Sequence, residues 1–593
     1  MKDSKGRKVM ETERRGPVAP KDPVLKRPYF YIMHEKAIFA SPQPDGRGIQ
    51  FIYEDGSRLL DAAKIAGNVT DEETLECLKT AEGFRKLVHS IGVAVTEGSS
   101  EKVNFVFQMY PKGPGEPSTS IEAQFEADGM ERVIPLEEFP AMDTDRCPGQ
   151  IRFEFAHPGV QASADVRFYL NDGFTAPPQT QETAVEFDSE GYREMIRRSV
   201  MQEGNLTALA EAVEKGQRGE EVTLAFIGGS ITQGAGAIPI HENSYAKLYA
   251  NEFEKRYAKG GVRFLKAGVG GTPSELGMIR FERDILRDGD AKPDVIVIEF
   301  AVNDEGDETK GVCFESLVRK SLALPWHPAV VLLFAVFSFD WNLQDRLGCV
   351  GECYDLPMVS VLNAVTPQFP LLPGEGRIVS KNQFFYDIFH PSNVGHRIMS
   401  DCLLEMTEKA AKLAAEGNAE MKTAGKKEIE KILERKPVIG ADFEKVILMD
   451  RKELSEHPER FGVESLEEGS FDGEDRALQA VEMDSEIVPV PEFPYNWHYD
   501  GSAERPGIFR VKLPFRRALL VFKDSGDPAF GRAEVFVDGE KKLLADPLLA
   551  GWNHCNAAII WNGESEETHT VEIRMAKGQE EKKFTILGFG IVK

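Results

Sequence analysis

The chain has 593 residues and a formal charge of −26, from 71 Lys and Arg against 97 Asp and Glu. A surface this acidic repels phosphate backbones and anionic headgroups, which argues against nucleic acid and membranes as partners. Hydrophobic residues at 41% and charged residues at 28% exclude a disordered chain. At roughly 100–200 residues per domain, the length holds about three or four domains.

Residues 1–27 are polar and basic, and they read as a flexible arm. They contain no apolar core for a Sec signal, so the expected compartment is the cytoplasm. The longest apolar run, Ala329–Phe337 (AVVLLFAVF), is too short to span a bilayer and suits a buried strand. The seven cysteines are scattered and odd in number, as expected of reduced thiols. Cys349 and Cys353 lie close together, but no second Cys or His pair completes a zinc pattern and HExxH is absent. The chain is therefore expected to need no metal and no cofactor.

Between residues 28 and 180 the apolar period is two. Val103, Phe105, Phe107 and Met109 alternate with Asn104, Val106, Gln108 and Tyr110, and Ile151–Phe155 (IRFEF) and Val166–Leu170 (VRFYL) repeat the pattern. Gly/Pro/Asp clusters between such runs predict antiparallel strands in a β-sandwich or jelly roll.

The pattern changes over residues 185–415. Tyr192–Lys215 reads as helical. Short apolar runs then follow at Val222–Ile227, Val262–Leu265, Asp294–Ala301, Ala329–Ser338 and Met358–Leu362. Amphipathic stretches separate them, at Tyr245–Tyr257, Ser274–Leu286, Phe314–Leu322 and finally Val394–Leu413. Continuous apolar strands alternating with helices predict a doubly wound α/β domain on a parallel sheet of about five strands. Residues 416–440 are Lys/Glu-rich and read as a linker helix. From 441 to 593 the period returns to two, at Phe509–Leu513, Glu534–Asp538 and Val571–Met575, which predicts a second β-sandwich.

The candidate chemistry sits where the strands of the α/β domain end. In an open α/β sheet, ligands bind beyond the carboxyl ends of the strands. The first strand ends in Phe226–Gly234 (FIGGSITQG), which places Ser230 on a tight turn, although a serine there also serves as a helix cap. The second is followed by Ala267–Pro273 (AGVGGTP), where glycine lets a backbone N–H approach a ligand. The third ends in Phe300–Asp304 (FAVND), so the Asn303 amide can donate into the same crevice. After the fifth comes Tyr386–Asn393 (YDIFHPSN), with Asp387 three residues before His390. One turn can present both, His390 as a base and Asp387 orienting its imidazole. Four such turns at four carboxyl ends carry more weight than any one alone.

Together the four blocks resemble the SGNH (GDSL-type) hydrolases over roughly Val222–Leu403. The matching pieces are GGSITQG at Gly228–Gly234, AGVGGTP at Ala267–Pro273, VND at Val302–Asp304 and DIFHP at Asp387–Pro391. The resemblance implies Ser230 as nucleophile, His390 as base and Asp387 as its partner. It also implies an oxyanion hole from Ser230, Gly271 and Asn303, with Gly270 as the alternative glycine donor. Gly229 stands where the family usually has Asp, and Ala301 where it usually has Gly; both variants look like the carbohydrate-esterase side of the family.

A hydrolase with two β-sandwiches resembles multidomain carbohydrate acetylesterases. The expected fold is thus a doubly wound SGNH α/β domain flanked by two jelly-roll-like sandwiches, the last one carbohydrate-binding-like. Phe493–Tyr499 (FPYNWHY) and Gly551–His554 (GWNH) supply aromatic faces suited to sugar rings. Trp497 and Trp552 are therefore candidate substrate contacts, and Trp341, after the fourth strand, is a candidate for the crevice wall. The expected activity is removal of acetyl groups from an acetylated oligosaccharide through an acyl-enzyme. The rivals are a lipase or thioesterase of the same superfamily and a non-catalytic glycan-binding protein.

Overall fold

The computed structural model describes residues 26–52, 56–96, 101–113, 116–139, 145–179, 182–416, 419–484, 489–503 and 506–593. Nearly all of the expected N-terminal arm lies outside them. The chain divides into two units, Met1–Gln181 and Glu182–Lys593.

The first unit holds two antiparallel sheets. One runs in the order Tyr29–Phe39, Gln161–Leu170, Val88–Thr96, Arg132–Pro135. The other runs Ser41–Pro42, Gly48–Ile52, Asp145–Phe155, Lys102–Pro111, Ser120–Glu126. Both feed one apolar cluster, to which the alternating residues Val103, Phe105, Phe107 and Met109 contribute buried side chains. The period-two reading missed three helices here, Gly56–Ile65, Glu72–Cys77 and Ala81–Leu87. Asp71 and Thr80 cap the last two by accepting from the N–H groups of Thr74 and Gly83. Phe84 then packs edge-on against Phe107 and Phe168.

The second unit is built on parallel strands β1 (Val222–Gly228), β2 (Val262–Gly268), β3 (Val295–Glu299), β4 (Ala329–Phe334) and β5 (Met358–Ser360), in the spatial order 2-1-3-4-5. Every residue of β1, β3, β4 and β5 is buried, as expected of strands covered on both faces. The stretch read as one helix from Tyr192 to Lys215 is instead two, Glu190–Arg197 and Thr207–Gln217. Between them Val200–Gln202 adds an antiparallel edge strand beside β5. The break falls where Gly204 takes a left-handed conformation and the Asn205 side chain accepts from the Thr207 N–H. The last helix of this layer, α1 (Asn393–Glu416), is followed by a further helix at Ala419–Glu430, inside the stretch read as a linker helix.

Apart from the short pair Ala480–Val481 and Val490–Pro491, the described C-terminal strands form one eight-stranded sheet around β6 (Phe509–Asp524), β7 (His554–Met575) and β8 (Phe584–Val592). Register shifts between Phe515 and Arg517 and between Ala518 and Leu519 interrupt the β6–β7 ladder, which is how a sheet bends. Both halves of β6 supply one core, with Val511 and Leu513 from the first and Leu520 and Phe522 from the second. The opposite face of the second half is equally apolar. There Leu519 and Val521, with Leu587 and Val592 of β8, join the core beneath the α/β sheet. The C-terminal sheet therefore shares its core with the α/β domain.

Candidate active site

With strand order 2-1-3-4-5, the chain leaves β1 for β2 on one side and later returns to β3 on the other. That reversal opens a crevice at the carboxyl ends of β1 and β3. Ser230 begins a four-residue helix directly after β1, and Asn303 begins a 3-10 turn just beyond β3. Gly270 and Gly271 follow β2, and the Asp387–His390 turn precedes α1.

Ser230 Oγ lies 2.9 Å from His390 Nε2, and His390 Nδ1 lies 2.8 Å from Asp387 Oδ2. The other Asp387 oxygen accepts from the backbone N–H groups of Phe389 and His390, each at 2.8 Å. Burial would raise the Asp387 carboxyl, but the facing His390 charge and these hydrogen bonds outweigh it and hold the group below the ordinary carboxylate value. An ionised Asp387 can only accept, so the imidazole proton sits on Nδ1. The Nε2 lone pair then faces the serine hydroxyl, which is the tautomer a general base needs.

The glycine loop after β2 resolves which N–H is available. Gly270 donates its N–H to Gln233 Oε1 at 3.0 Å, and its carbonyl accepts from Gln479 Nε2 at 2.9 Å. Gln479 is held in turn by the N–H of Cys555. The N–H of Gly271 has no hydrogen-bond partner among the described residues, so Gly271 is the free donor of the pair. The loop lies beside the serine: a β-carbon on Gly270 would be 3.8 Å from Ser230 Cβ. Gly271 itself has φ +73°, and a β-carbon there would lie 2.7 Å from Cζ2 of Trp552.

Asn303 accounts for the unusual glycine of the first block. A β-carbon on Gly229 would fall 2.2 Å from Asn303 Oδ1, so the amide occupies the space that an Asp side chain would need. Behind this turn, Glu299 at the end of β3 is wholly buried and accepts from Thr232 Oγ1 at 3.0 Å. Burial pushes its carboxyl up to about 8. Asp304 is also wholly buried and accepts from the N–H and hydroxyl of Ser274, tying the third block to the second. Sequence reading missed Gln233, Gln479 and Glu299, because each acts through a contact with a distant segment that no local spacing reveals.

Glu275, Asp307 and Cys313 bring three ligand-capable atoms within 4.8 Å of one another. Burial and the adjacent Asp307 push the Glu275 carboxyl up to about 9, so it is neutral near pH 7 and hydrogen-bonds to Asp307. Asp307 also accepts from the N–H groups of Thr309 and Gly311. Proton sharing and backbone donors satisfy this group.

The three candidate tryptophans separate. Trp497 is fully buried in the C-terminal core, and its indole N–H donates to Glu468 Oε1 at 2.8 Å. It fills the sheet interior and no substrate can reach it, contrary to the sequence expectation. Trp552 is 45% exposed and stands over Gly271. Trp341 is partly buried and stacks with Phe337 and Phe339.

Residues 226–398, the stretch that contains Ser230, Gly271, Asn303, Asp387 and His390, match the GDSL-like Lipase/Acylhydrolase family. This domain is a carboxylic ester hydrolase of SGNH (GDSL) type. Among solved structures, the chain resembles a two-domain esterase (CEX) active on acetylated mannans. The identity is 22% and the TM-score 0.54, over 67% of this chain and 99% of that one. The same esterase co-crystallised with mannopentaose matches at 22% identity and a TM-score of 0.53, with the same coverage. These structures share its fold. No curated protein sequence matches the chain.

Proposed function

We propose that the protein removes acetyl groups from an acetylated oligosaccharide, with Ser230 as the nucleophile. The observation that carries this reading is the unbroken relay from Ser230 Oγ through His390 to Asp387, at 2.9 and 2.8 Å. In it, His390 Nε2 takes the serine proton as Oγ attacks the ester carbonyl. The N–H groups of Ser230 and Gly271 and the Asn303 amide hold the oxyanion. The intermediate collapses as His390 gives its proton to the leaving alcohol. Water, deprotonated by the same histidine, then releases acetate from the acyl-enzyme. The sugar substrate is supported by aromatic side chains on both sides of the relay and by the likeness to an esterase active on acetylated mannans.

The test compares acetate release from acetylated manno-, xylo- and sialo-substrates by the wild type and by Ser230→Ala. The expected result is release from at least one sugar by the wild type and none by the variant, with both chains melting alike. Residual activity above about a tenth of wild type is far more than loss of a nucleophile permits, and it would remove Ser230 from the role.

A further inference from the structure

Four aromatic rings form a continuous patch on the His390 side of the crevice. The Phe337 ring centroid lies 5.5 Å from that of Phe339, 6.0 Å from that of Trp341 and 5.0 Å from that of Phe389. Phe339 and Trp341 are stacked at 5.9 Å, and Phe389 meets the His390 ring at 6.2 Å. Two of these rings face water, Phe339 being 56% and Phe389 39% exposed.

The patch is held in place by its backbone. Residues 337–341 form a tight turn in which the Phe337 N–H donates to Trp341 O and the Asp340 N–H donates to Phe337 O, both at 3.0 Å. Lys381 ties the turn down through the Ser338 carbonyl at 2.6 Å and the Asp340 carboxylate at 3.0 Å. The Ser338 N–H donates to the carbonyl of Ile388, which lies between Asp387 and His390. The exposed rings and the catalytic turn are thereby one piece of structure, and little ordering entropy remains to be lost when a ligand lies on it.

Strand order decides which part of a substrate meets this patch. Gly271, with Trp552 over it, follows β2 on one side of β1, whereas the Phe337–Trp341 turn follows β4 on the other. The oxyanion is held on the glycine side. The leaving oxygen must lie within reach of His390 Nε2, because that nitrogen returns the proton to it.

We infer that Phe339, Trp341 and Phe389 form the subsite for the leaving alcohol, on which the C–H face of the deacetylated sugar ring stacks. This rests on the sugar-ester reading above, and it adds which rings set specificity and for which half of the substrate. Flat apolar faces against an acidic protein surface suit an uncharged pyranose and give an alkyl alcohol too small to stack nothing to rest on.

The experiment measures kcat/KM for an acetylated manno- or xylo-oligosaccharide and for ethyl acetate, whose leaving group cannot cover a ring. Phe339→Ala, Phe339→Trp and the wild type are compared as full-length chains. In Phe339→Ala the ratio of the two kcat/KM values should fall about three- to tenfold, mainly through KM for the sugar ester. Phe339→Trp, which keeps an aromatic face, should hold the ratio near wild type. If the wild type turns over a sugar ester but Phe339→Ala keeps the ratio, the subsite is overturned and the sugar reading stands. Should the wild type hydrolyse ethyl acetate and no sugar ester, the sugar reading and the subsite both fall.

Discussion

Trp552 stands against the α-carbon of Gly271, so closely that a β-carbon on that glycine would lie 2.7 Å from the indole Cζ2. A loop from the C-terminal half of the chain thus reaches the glycine whose N–H is free, in the turn that passes beside Ser230, and Gln479 from the same half fixes the neighbouring carbonyl. A purely remote sugar contact would leave small esters untouched. This contact should not. Trp552→Ala is expected to lower kcat for p-nitrophenyl acetate about tenfold, short of the 10²–10³ lost with a whole oxyanion donor. Steady-state kinetics on p-nitrophenyl acetate and on an acetylated oligosaccharide, after a thermal melt, decide the matter. Wild-type turnover of the small ester would return Trp552 to a contact with sugar alone.

Asn303 and Gly229 should behave as a pair. In the proposed mechanism Asn303→Ala removes one oxyanion donor, so kcat should drop by about 10²–10³ while KM moves little. Gly229→Asp brings the first block closer to the usual GDS pattern of the family, yet its carboxylate must displace the amide, since even a β-carbon meets Asn303 Oδ1 at 2.2 Å. The substitution should therefore reduce kcat despite the more familiar sequence. A Gly229→Asp enzyme as fast as wild type would mean that Asn303 is free to move without cost.

The α/β core was readable because its strands are continuous apolar runs, and because Ser230, Asn303 and the Asp387–His390 pair each follow a strand or precede a helix within a few residues. Local spacing carries such signals. Trp497 and Trp552 could not be told apart that way. Both lie in aromatic stretches of the same half of the chain, but Trp497 alternates inward on a short strand while Trp552 sits on a loop. The joining of the C-terminal sheet to the α/β core was equally hidden. Leu519 and Val521 look like either face of a strand until the bend in β6 decides which core they enter. Gln479 meets Gly270 across 209 positions, and nothing in either segment announces the other.

Three buried carboxyls set an expected pH dependence of stability. Burial pushes Glu299 and Asp304 up to about 8 and Glu275 up to about 9, well above the ordinary carboxylate range. Between the ordinary and the raised values the folded chain binds protons that the unfolded chain has released. Stability from these groups is therefore fully present below about pH 4 and declines as pH rises towards 8–9. Glu275→Gln keeps an acceptor for the Glu308 N–H, which now donates to Glu275 Oε1, and offers an amide donor to Asp307 without a titrating proton. The variant should lose less melting temperature than wild type between pH 6 and pH 9. Parallel melting curves across that range would show that Glu275 does not hold its proton in the folded state.

Asp387 is held below the ordinary carboxylate value, so its charge persists throughout the neutral range and the imidazole keeps its proton on Nδ1. Asp387→Asn should leave the turn nearly intact, because the amide oxygen can still accept from the N–H groups of Phe389 and His390. Its NH₂ group, however, would face Nδ1 and donate to it. That drives the ring proton to Nε2, where it confronts the Ser230 hydroxyl in place of a lone pair. In the serine-protease triad the same exchange costs on the order of 10⁴ in kcat, and a loss of that order is expected here near pH 7. The dependence of kcat/KM on pH should change shape as well, since the charge that stabilised the imidazolium is gone. Asp387→Ala removes the two backbone hydrogen bonds in addition, so it should lower the melting temperature where Asp387→Asn does not. An Asp387→Asn enzyme with a wild-type pH profile and turnover within tenfold of wild type would show that His390 takes its orientation from elsewhere.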